Sequence, residues 1–219
     1  MKKYFVKTPY FIKLLLYKYV WHMPKKHNAI YLTFDDGPTP TITPWVLDQL
    51  KKYNAKATFF CIGKNIEKYP EIFKQIIAEG HTIGNHTYNH VNATKNTKEV
   101  YLNSIKKTEK ILYKHLGEEN ISNTKLFRPP YGVLNFKQAN SILKLGYKII
   151  MWDVLSADFD KNAPKEKCLN NVIKNTESGS IIVFHDSDKS ADKLKFILPK
   201  VLDYYSFKGC SFKSIAQPN

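Results

Sequence analysis

The stretch Ala29-Ile30-Tyr31-Leu32-Thr33-Phe34-Asp35-Asp36-Gly37-Pro38 is an apolar run that ends in two adjacent carboxylates and a turn. A short run rich in Ile, Leu, Tyr and Phe, bounded by Gly-Pro, is typical of a β-strand. Neighbouring strand residues point in different directions, so Asp35 and Asp36 are expected to meet different partners. The alternative interpretation of Asp-Gly-Pro, taken alone, is a polar turn.

After residue 28, apolar runs alternate with amphipathic stretches. Strands are predicted at 29–34, 56–62, 81–85, 125–128, 147–151, 180–184 and 207–211. Helices are predicted near 43–53, 70–79, 97–116, 136–145, 164–176 and 192–204. Thr43 is expected to cap the first of these helices, with Pro44 at its first position. Gly80, Gly117 and Gly146 are expected just beyond helix C-termini, where glycine is favoured.

This alternation predicts an α/β fold with a parallel sheet, either open or closed into a barrel. The chemically reactive side chains all fall at or just beyond the ends of predicted strands. They are Asp35, Asp36, His86, His90, Arg128, Asp158 and His185. The carboxyl ends of the strands form the active face of a (β/α) barrel, so one site is expected there. The sequence has no internal repeat or linker, which predicts one catalytic domain over residues 28–219.

The amino-acid composition indicates which classes of molecule the protein is expected to bind. The chain has 219 residues, 43% of them hydrophobic, which is enough for one sizeable core. Its net charge is +15, and Arg128 is its only arginine. Nucleic-acid-binding proteins ordinarily use arginine for bidentate contacts, so no nucleic-acid partner is expected. The charge predicts either a solvated lysine surface or attraction to an anionic partner, such as a membrane or a phosphate-bearing glycan.

Residues 1–27 are predicted to be an N-terminal helical segment. Met1-Lys2-Lys3 resembles the start of a signal peptide, but the next apolar run contains Lys13 and Lys18 and lacks a small-residue cleavage site. That run is too short to span a bilayer. The segment is expected either to pack on the barrel or to lay its aromatic and leucine face on a membrane. The prediction is a cytoplasmic protein, with peripheral membrane contact in the second case.

His86-Thr87-Tyr88-Asn89-His90 contains two imidazoles four residues apart. Both rings would share one face if the segment were helical, and a surface pair is the alternative. With Asp36 the histidines make a set that suits a catalytic zinc ion with an open position, and also suits the iron of non-haem oxygenases. Asp35 would then be free to act as a base, so the set predicts metal-assisted hydrolysis.

Five stretches resemble, in order, the motifs of the polysaccharide deacetylases, the NodB-homology group or carbohydrate esterase family 4. They are Thr33-Phe34-Asp35-Asp36-Gly37, His86-Thr87-Tyr88-Asn89-His90, Arg128-Pro129-Pro130-Tyr131, Trp152-Asp153 to Asp158, and Val183-Phe184-His185. The resemblance covers residues 28–211. It implies a distorted (β/α) barrel of seven or eight units that removes acetyl groups from an N-acetylated amino sugar.

The resemblance implies a divalent metal held by Asp36, His86 and His90. Zinc is the usual ion, with cobalt, nickel, manganese and iron as alternatives. The implied substrate is a polysaccharide, peptidoglycan or lipid-linked glycan, and the protein is expected to be a monomer. The competing hypotheses are a barrel that binds glycans without turnover and a non-haem iron oxygenase.

Catalytic roles follow from the resemblance position by position. Asp35 would be the general base, His185 the general acid, and the backbone N–H of Tyr131 an oxyanion donor. Arg128 would hold Asp35 through a bidentate contact that lysine cannot make. Asp158 would orient His185, with Asp153 and Asp186 as competing partners for that histidine.

Three further residues are expected to line the substrate groove. Phe159 stands where the family commonly has Trp, which keeps an aromatic wall and loses the indole N–H. Val183 stands where the family commonly has Leu, and Pro129 belongs to the Arg-Pro-Pro-Tyr motif.

Overall fold

The computed structural model describes residues 4–25, 28–117 and 125–215. The remaining parts of the predicted N-terminal segment (1–3 and 26–27) and of the predicted domain (118–124 and 216–219) lie outside the described residues. The strands are β1 (Ala29–Asp35), β2 (Thr58–Cys61), β3 (Thr82–Asn85), β4 (Leu126–Phe127), β5 (Lys148–Ile149), β6 (Val154–Leu155), β7 (Ile181–His185) and β8 (Ser211–Phe212). The α-helices are α1 (Tyr10–Leu15), α2 (Ile42–Lys52), α3 (Gly63–Lys68), α4 (Pro70–Ala78), α5 (Lys98–Leu116), α6 (Phe136–Lys144), α7 (Lys165–Ile173) and α8 (Ala191–Phe207).

The strands form one curled parallel sheet in the order β5-β4-β3-β2-β1-β7-β6, and β8 pairs with the beginning of β1. Helices cover its outer face. This arrangement is a distorted (β/α) barrel, as the sequence predicts. Since all the strands run in one direction, their carboxyl ends meet at one end of the barrel.

β1 lies at the centre of the sheet, and all seven of its residues are buried. Its side chains alternate between two environments, as strand geometry requires. Ile30, Leu32 and Phe34 belong to the core between the sheet and the helices. Tyr31 belongs to a second cluster inside the barrel, and the same alternation directs Asp35 inward. The continuous apolar run of this strand is therefore a consequence of burial on both faces.

The N-terminal segment lies across the gap between the edge strands β5 and β6. On the β6 side, Thr8 donates its N–H to the carbonyl of Asp153 at 2.9 Å. On the β5 side, Val20 donates to Ile149 at 2.9 Å and accepts from Met151 at 2.8 Å. Residues 4–25 thus contribute backbone hydrogen bonds where the sheet fails to close.

None of the helices within the described residues is long and apolar enough to cross a bilayer.

Several predicted boundaries are wrong for identifiable reasons. α2 begins at Ile42 with Thr41 as N-cap, so Thr43 is not the cap. The Thr43 hydroxyl instead accepts the N–H of Thr39 at 2.8 Å and donates to Asp186 at 2.6 Å. α8 continues through Phe207, so the predicted strand 207–211 is reduced to β8.

Some predicted elements were incomplete, whereas the glycines predicted at helix ends were confirmed. The predicted strand 147–151 ends after Ile149, and the sequence reading missed both β6 and α3. Gly80, Gly117 and Gly146 follow helices with φ of 74°, 76° and 82°, which confirms their predicted role at helix ends.

A buried carboxylate, Asp153, anchors the N-terminal segment. It is 2% exposed and accepts hydrogen bonds from Lys7 at 2.6 Å, from Ser180 at 2.6 Å and from Lys13. Burial alone would raise the pKa of Asp153, but the hydrogen bonds from Lys13, Lys7 and Ser180 outweigh it and lower that pKa below its usual value.

Asp153→Asn is therefore expected to reduce the free energy of unfolding at pH 7 by about 1–3 kcal/mol. A carboxyl with a lowered folded-state pKa stabilises the protein above its unfolded pKa of about 4, and that stabilisation is lost as the pH falls through the folded value. The difference between the two proteins should accordingly shrink below pH of about 4. Urea unfolding at a series of pH values measures it.

The matched control is Glu177→Gln. Glu177 also pairs with Lys7, at 3.2 Å, but is 54% exposed, so its loss should cost no more than about 1 kcal/mol. Equal losses in the two variants, or an Asp153→Asn loss that does not depend on pH, would contradict the anchoring role.

Candidate active site

The three candidate metal ligands converge at the carboxyl ends of β1 and β3. One donor atom from each of Asp36, His86 and His90 lies within 4.8 Å of the others. The Oδ1 atom of Asp36 is 3.3 Å from Nε2 of His90 and 3.7 Å from Nε2 of His86. Residues that are separated by up to 54 positions in the sequence therefore form one compact cluster.

The orientation of His86 is fixed by the loop after β4. Its Nδ1 lies 2.8 Å from the carbonyl oxygen of Arg128. Because a carbonyl can only accept, Nδ1 carries a proton, and Nε2 is the nitrogen that faces Asp36. A second partner that sets the tautomer in this way is characteristic of metal-binding histidines.

The loop that carries His86 and His90 is not a helix, so the helical explanation for their convergence was wrong. Thr87 and His90 have φ of 64° and 56°, which turns the chain back within four residues. Asn85 stabilises the turn by accepting the N–H of Thr87 at 2.9 Å. Burial, together with the neighbouring His86, lowers the pKa of His90 to about 4, so its imidazole is neutral at pH 7.

The cluster fits a divalent cation. Oδ1 of Asp36 is buried and has no hydrogen-bond partner among the described residues. Burial would raise the pKa of Asp36, but the nearby His185, His86 and His90 outweigh it and lower that pKa. A charged, buried oxygen without a donor is costly by itself, and beside two imidazole nitrogens it completes a common ligand set for zinc.

Asn65 supports Asp36 from α3. Asp36 has φ of 82°, and its carbonyl accepts a hydrogen bond from Nδ2 of Asn65 at 2.7 Å. Neither Asn65 nor its helix was predicted from the sequence, because nothing in the surrounding residues marks Asn65 as functional.

Asp35 and Arg128 form a buried ion pair inside the barrel. Asp35 is 3% exposed and Arg128 is fully buried. Nη1 of Arg128 donates to Oδ1 of Asp35 at 2.8 Å and to Thr33 at 2.6 Å. The predicted bidentate contact is wrong, because Nε and Nη2 donate instead to the carbonyls of Ile150 and Met151. The guanidinium is shared between a carboxylate and the backbone that follows β5.

His185 ends β7 and is held by Asp158. Its Nδ1 and its backbone N–H each lie 2.8 Å from a different carboxylate oxygen of Asp158. Burial would lower the pKa of His185, but Asp158, with smaller contributions from Asp36 and Asp35, outweighs it and raises the pKa to about 9. The imidazole is therefore protonated at neutral pH.

The two competing partners of His185 lie elsewhere. Asp153 belongs to the anchor of the N-terminal segment. Asp186 is fully buried, accepts the N–H of Gly37 at 3.0 Å and accepts the hydroxyl of Thr43 at 2.6 Å. A Cβ atom on Gly37 would lie 2.0 Å from this carboxylate, so only glycine fits there. Asp186 fixes the turn that follows Asp36, a role that the sequence reading did not assign.

Tyr131 lies at the rim of the site. It is 62% exposed, has φ of 62°, and its ring centroid is 4.5 Å from that of His90.

The predicted groove residues divide into two groups. Phe159 is 39% exposed and its ring centroid lies 5.1 Å from that of His185. Pro129 and Val183 are buried, and their place in a substrate groove stays a prediction.

Comparison with known proteins identifies close relatives. The family model for polysaccharide deacetylases matches residues 22–150. A peptidoglycan-N-acetylglucosamine deacetylase of Bacillus cereus is 36% identical over 198 residues, which cover 90% of this chain and 91% of that protein. A chitooligosaccharide deacetylase of Azorhizobium caulinodans is 37% identical over 163 residues, which cover 74% of this chain and 75% of that protein.

A solved structure is similar over nearly the whole length. The crystal structure of a peptidoglycan N-acetylglucosamine deacetylase in complex with an N-hydroxybenzamide compound gives a TM-score of 0.84 at 37% identity and covers 95% of both chains. Since the matching model spans more than half of the sequence and these relatives align over most of it, the chain belongs to the polysaccharide deacetylase family.

Proposed function

We propose that the protein is a metal-dependent hydrolase that removes the acetyl group from N-acetylglucosamine units of peptidoglycan or a related glycan. The main support is that Asp35 and His185, each with its own charged partner, are paired in register on β1 and β7, beside the Asp36–His86–His90 cluster. One group suits proton removal and the other proton donation, and amide hydrolysis needs both.

Asp36, His86 and His90 are the residues that would hold the divalent cation. When bound, it would supply Lewis-acid polarisation of the acetyl carbonyl. Zinc is the proposed ion, because two imidazoles and a carboxylate with a position left open are a common zinc set in hydrolases.

Asp35 is the proposed general base, which collects the proton of the attacking water. Arg128 donates to its Oδ1, so Oδ2 is the oxygen left to accept that proton. The buried guanidinium also prevents the side chain from turning away, because Arg128 is itself held by the carbonyls of Ile150 and Met151. A fixed base within reach of the water is the geometric requirement for this role.

His185 is the proposed general acid, which protonates the departing sugar amine. Asp158 binds Nδ1, so Nε2 is the nitrogen that can deliver a proton. The raised pKa keeps the imidazole charged until the amine leaves.

The backbone N–H of Tyr131 is the proposed donor to the developing oxyanion, and the exposed ring of Phe159 is a proposed platform for a sugar.

The substrate class rests on the relatives and the barrel. The named relatives deacetylate peptidoglycan or chitooligosaccharide, and both kinds of glycan contain N-acetylglucosamine. The non-haem oxygenase hypothesis would leave the Asp35–Arg128 and Asp158–His185 pairs without a role, and the parallel barrel is not the β-sandwich expected of those enzymes.

The proposal predicts release of acetate and a free amine from N-acetylglucosamine oligomers or peptidoglycan when zinc is supplied. Asp35→Asn should lower kcat by about 10²–10⁴-fold, because the water then lacks its base. Acetate release and amine labelling measure the same event independently.

Asp48→Asn on the exposed surface of α2 is the matched control and should leave kcat unchanged. Failure to release acetate from any N-acetylated glycan with zinc, cobalt or nickel would refute the proposed activity. Full activity of Asp35→Asn would refute the proposed base.

Metal binding is predicted separately from activity. The protein should bind one zinc ion per chain, and Asp36→Asn should weaken that binding by about 100-fold or more, since a neutral amide replaces the charged ligand. Titration calorimetry of the metal-stripped protein measures the affinity, with Asp48→Asn again as the control. Undiminished zinc binding by Asp36→Asn would mean that the ion is held elsewhere.

The role of His185 predicts a pH dependence. A general acid must be protonated, so kcat/KM should fall as the pH rises through a value near 9. Asp158→Asn removes the carboxylate that raises this pKa, and should move the alkaline limb at least about one unit lower. Asp192→Asn, on the exposed first turn of α8, should leave the profile in place. An alkaline limb that does not move in Asp158→Asn would rule out His185 as its source.

A further inference from the structure

The outward face of α1 is wholly apolar. Tyr10, Phe11, Leu14 and Leu15 are 73%, 65%, 57% and 76% exposed. At about 100° per residue these positions span an arc of about 140° on the helix. A surface helix normally presents polar side chains on the side away from the core. Here the pattern is reversed, since the only charged residue of α1, Lys13, points inward to Asp153.

The opposite face of α1 is attached to the barrel. Ile12 and Leu16 pack against the cluster that contains the buried Trp21. The indole N–H of Trp21 donates to the carbonyl of Leu16 at 3.1 Å. The backbone bonds of Thr8 and Val20 hold the chain on both sides of the helix. The apolar arc is thus preformed, and it belongs to the folded barrel.

The charged side chains of the N-terminal segment itself are all lysines. The first acidic residue of the chain is Asp35, so residues 4–25 contain four lysines and no carboxylate side chain. Lys7 and Lys13 both pair with Asp153, and Lys7 and Lys25 pair with Glu177, whereas Lys18 lies next to the exposed ring of Tyr17. Exposed aromatic rings beside lysines suit the boundary between lipid headgroups and acyl chains.

We propose that this surface, which consists of Tyr10, Phe11, Leu14, Leu15 and Lys18 and is called here the α1 surface, binds the protein to an anionic lipid bilayer. The aromatic and leucine side chains would enter the headgroup boundary, and the lysine would contact lipid phosphates. The chain's net charge of +15 favours a negatively charged bilayer over a neutral one.

The test is co-sedimentation of the full chain with vesicles of phosphatidylcholine containing phosphatidylglycerol. The variant Phe11→Ser/Leu14→Ser/Leu15→Ser should bind at least about tenfold more weakly, because all three side chains point away from the core. Binding of the unaltered chain should also weaken at high salt and on pure phosphatidylcholine vesicles.

The matched control is Phe136→Ser/Phe207→Ser, which removes two aromatic side chains that are 77% and 94% exposed on other helices. This variant should bind vesicles as well as the unaltered chain. Both variants should keep the circular dichroism spectrum and melting temperature of the unaltered chain, since no core residue is changed.

Three results would overturn the proposal. The first is no sedimentation of the unaltered chain with anionic vesicles, and the second is equal binding by the α1-surface variant. The third is a dimer, detected by light scattering, that the α1-surface variant converts to a monomer, because the surface would then join two copies. Vesicle binding and acetate release are measured separately, so failure of one does not decide the other.

Discussion

The enclosed charge of Arg128 is the constraint on which both the barrel and the site depend. Its guanidinium lies 4.2 Å from the centre of the Phe60 ring and has no exposure to solvent. Leaving such a charge unpaired would cost several kcal/mol, so the strands around it must supply acceptors in fixed places. Asp35 and Thr33 do so from β1, and the carbonyls after β5 do so from the far side of the curled sheet.

This arrangement explains why lysine, used at every other basic position, is replaced here. A single ammonium could neutralise Asp35, but it could not at the same time reach the carbonyls of Ile150 and Met151, because its three donors share one nitrogen. The guanidinium spans both, and so joins the central strand to the edge of the sheet. The same contact that closes the interior also orients the carboxylate, so fold and site share one interaction.

The sequence predicted the parts of the site that follow strands and failed where contacts depend on tertiary structure. Asp35 and His185 end apolar runs, so parallel strands predict that both lie at the carboxyl end of the sheet, and the structure pairs them in register on β1 and β7. Asp186 could not be recognised, because its partner Gly37 is 149 residues away and its neighbour His185 offered a simpler role. The turn at Thr87 was likewise hidden, since a positive φ at a β-branched residue contradicts local preference and requires the support of Asn85.

The balance of charge at the carboxyl ends of the strands supports the proposal that the Asp36–His86–His90 cluster holds a cation. Asp35 is paired with Arg128, and Asp158 is paired with the protonated His185, so each of these carboxylates has its own counter-charge. Oδ1 of Asp36, in contrast, has no hydrogen-bond partner among the described residues and lies 3.3 Å from Nε2 of His90 and 3.7 Å from Nε2 of His86. A buried carboxylate oxygen without a donor, beside two imidazole nitrogens, is costly alone and favourable around a divalent cation. Because the other two carboxylates are paired internally, the proposed cation would be held by Asp36, and Asp35 would keep its proposed role in proton transfer.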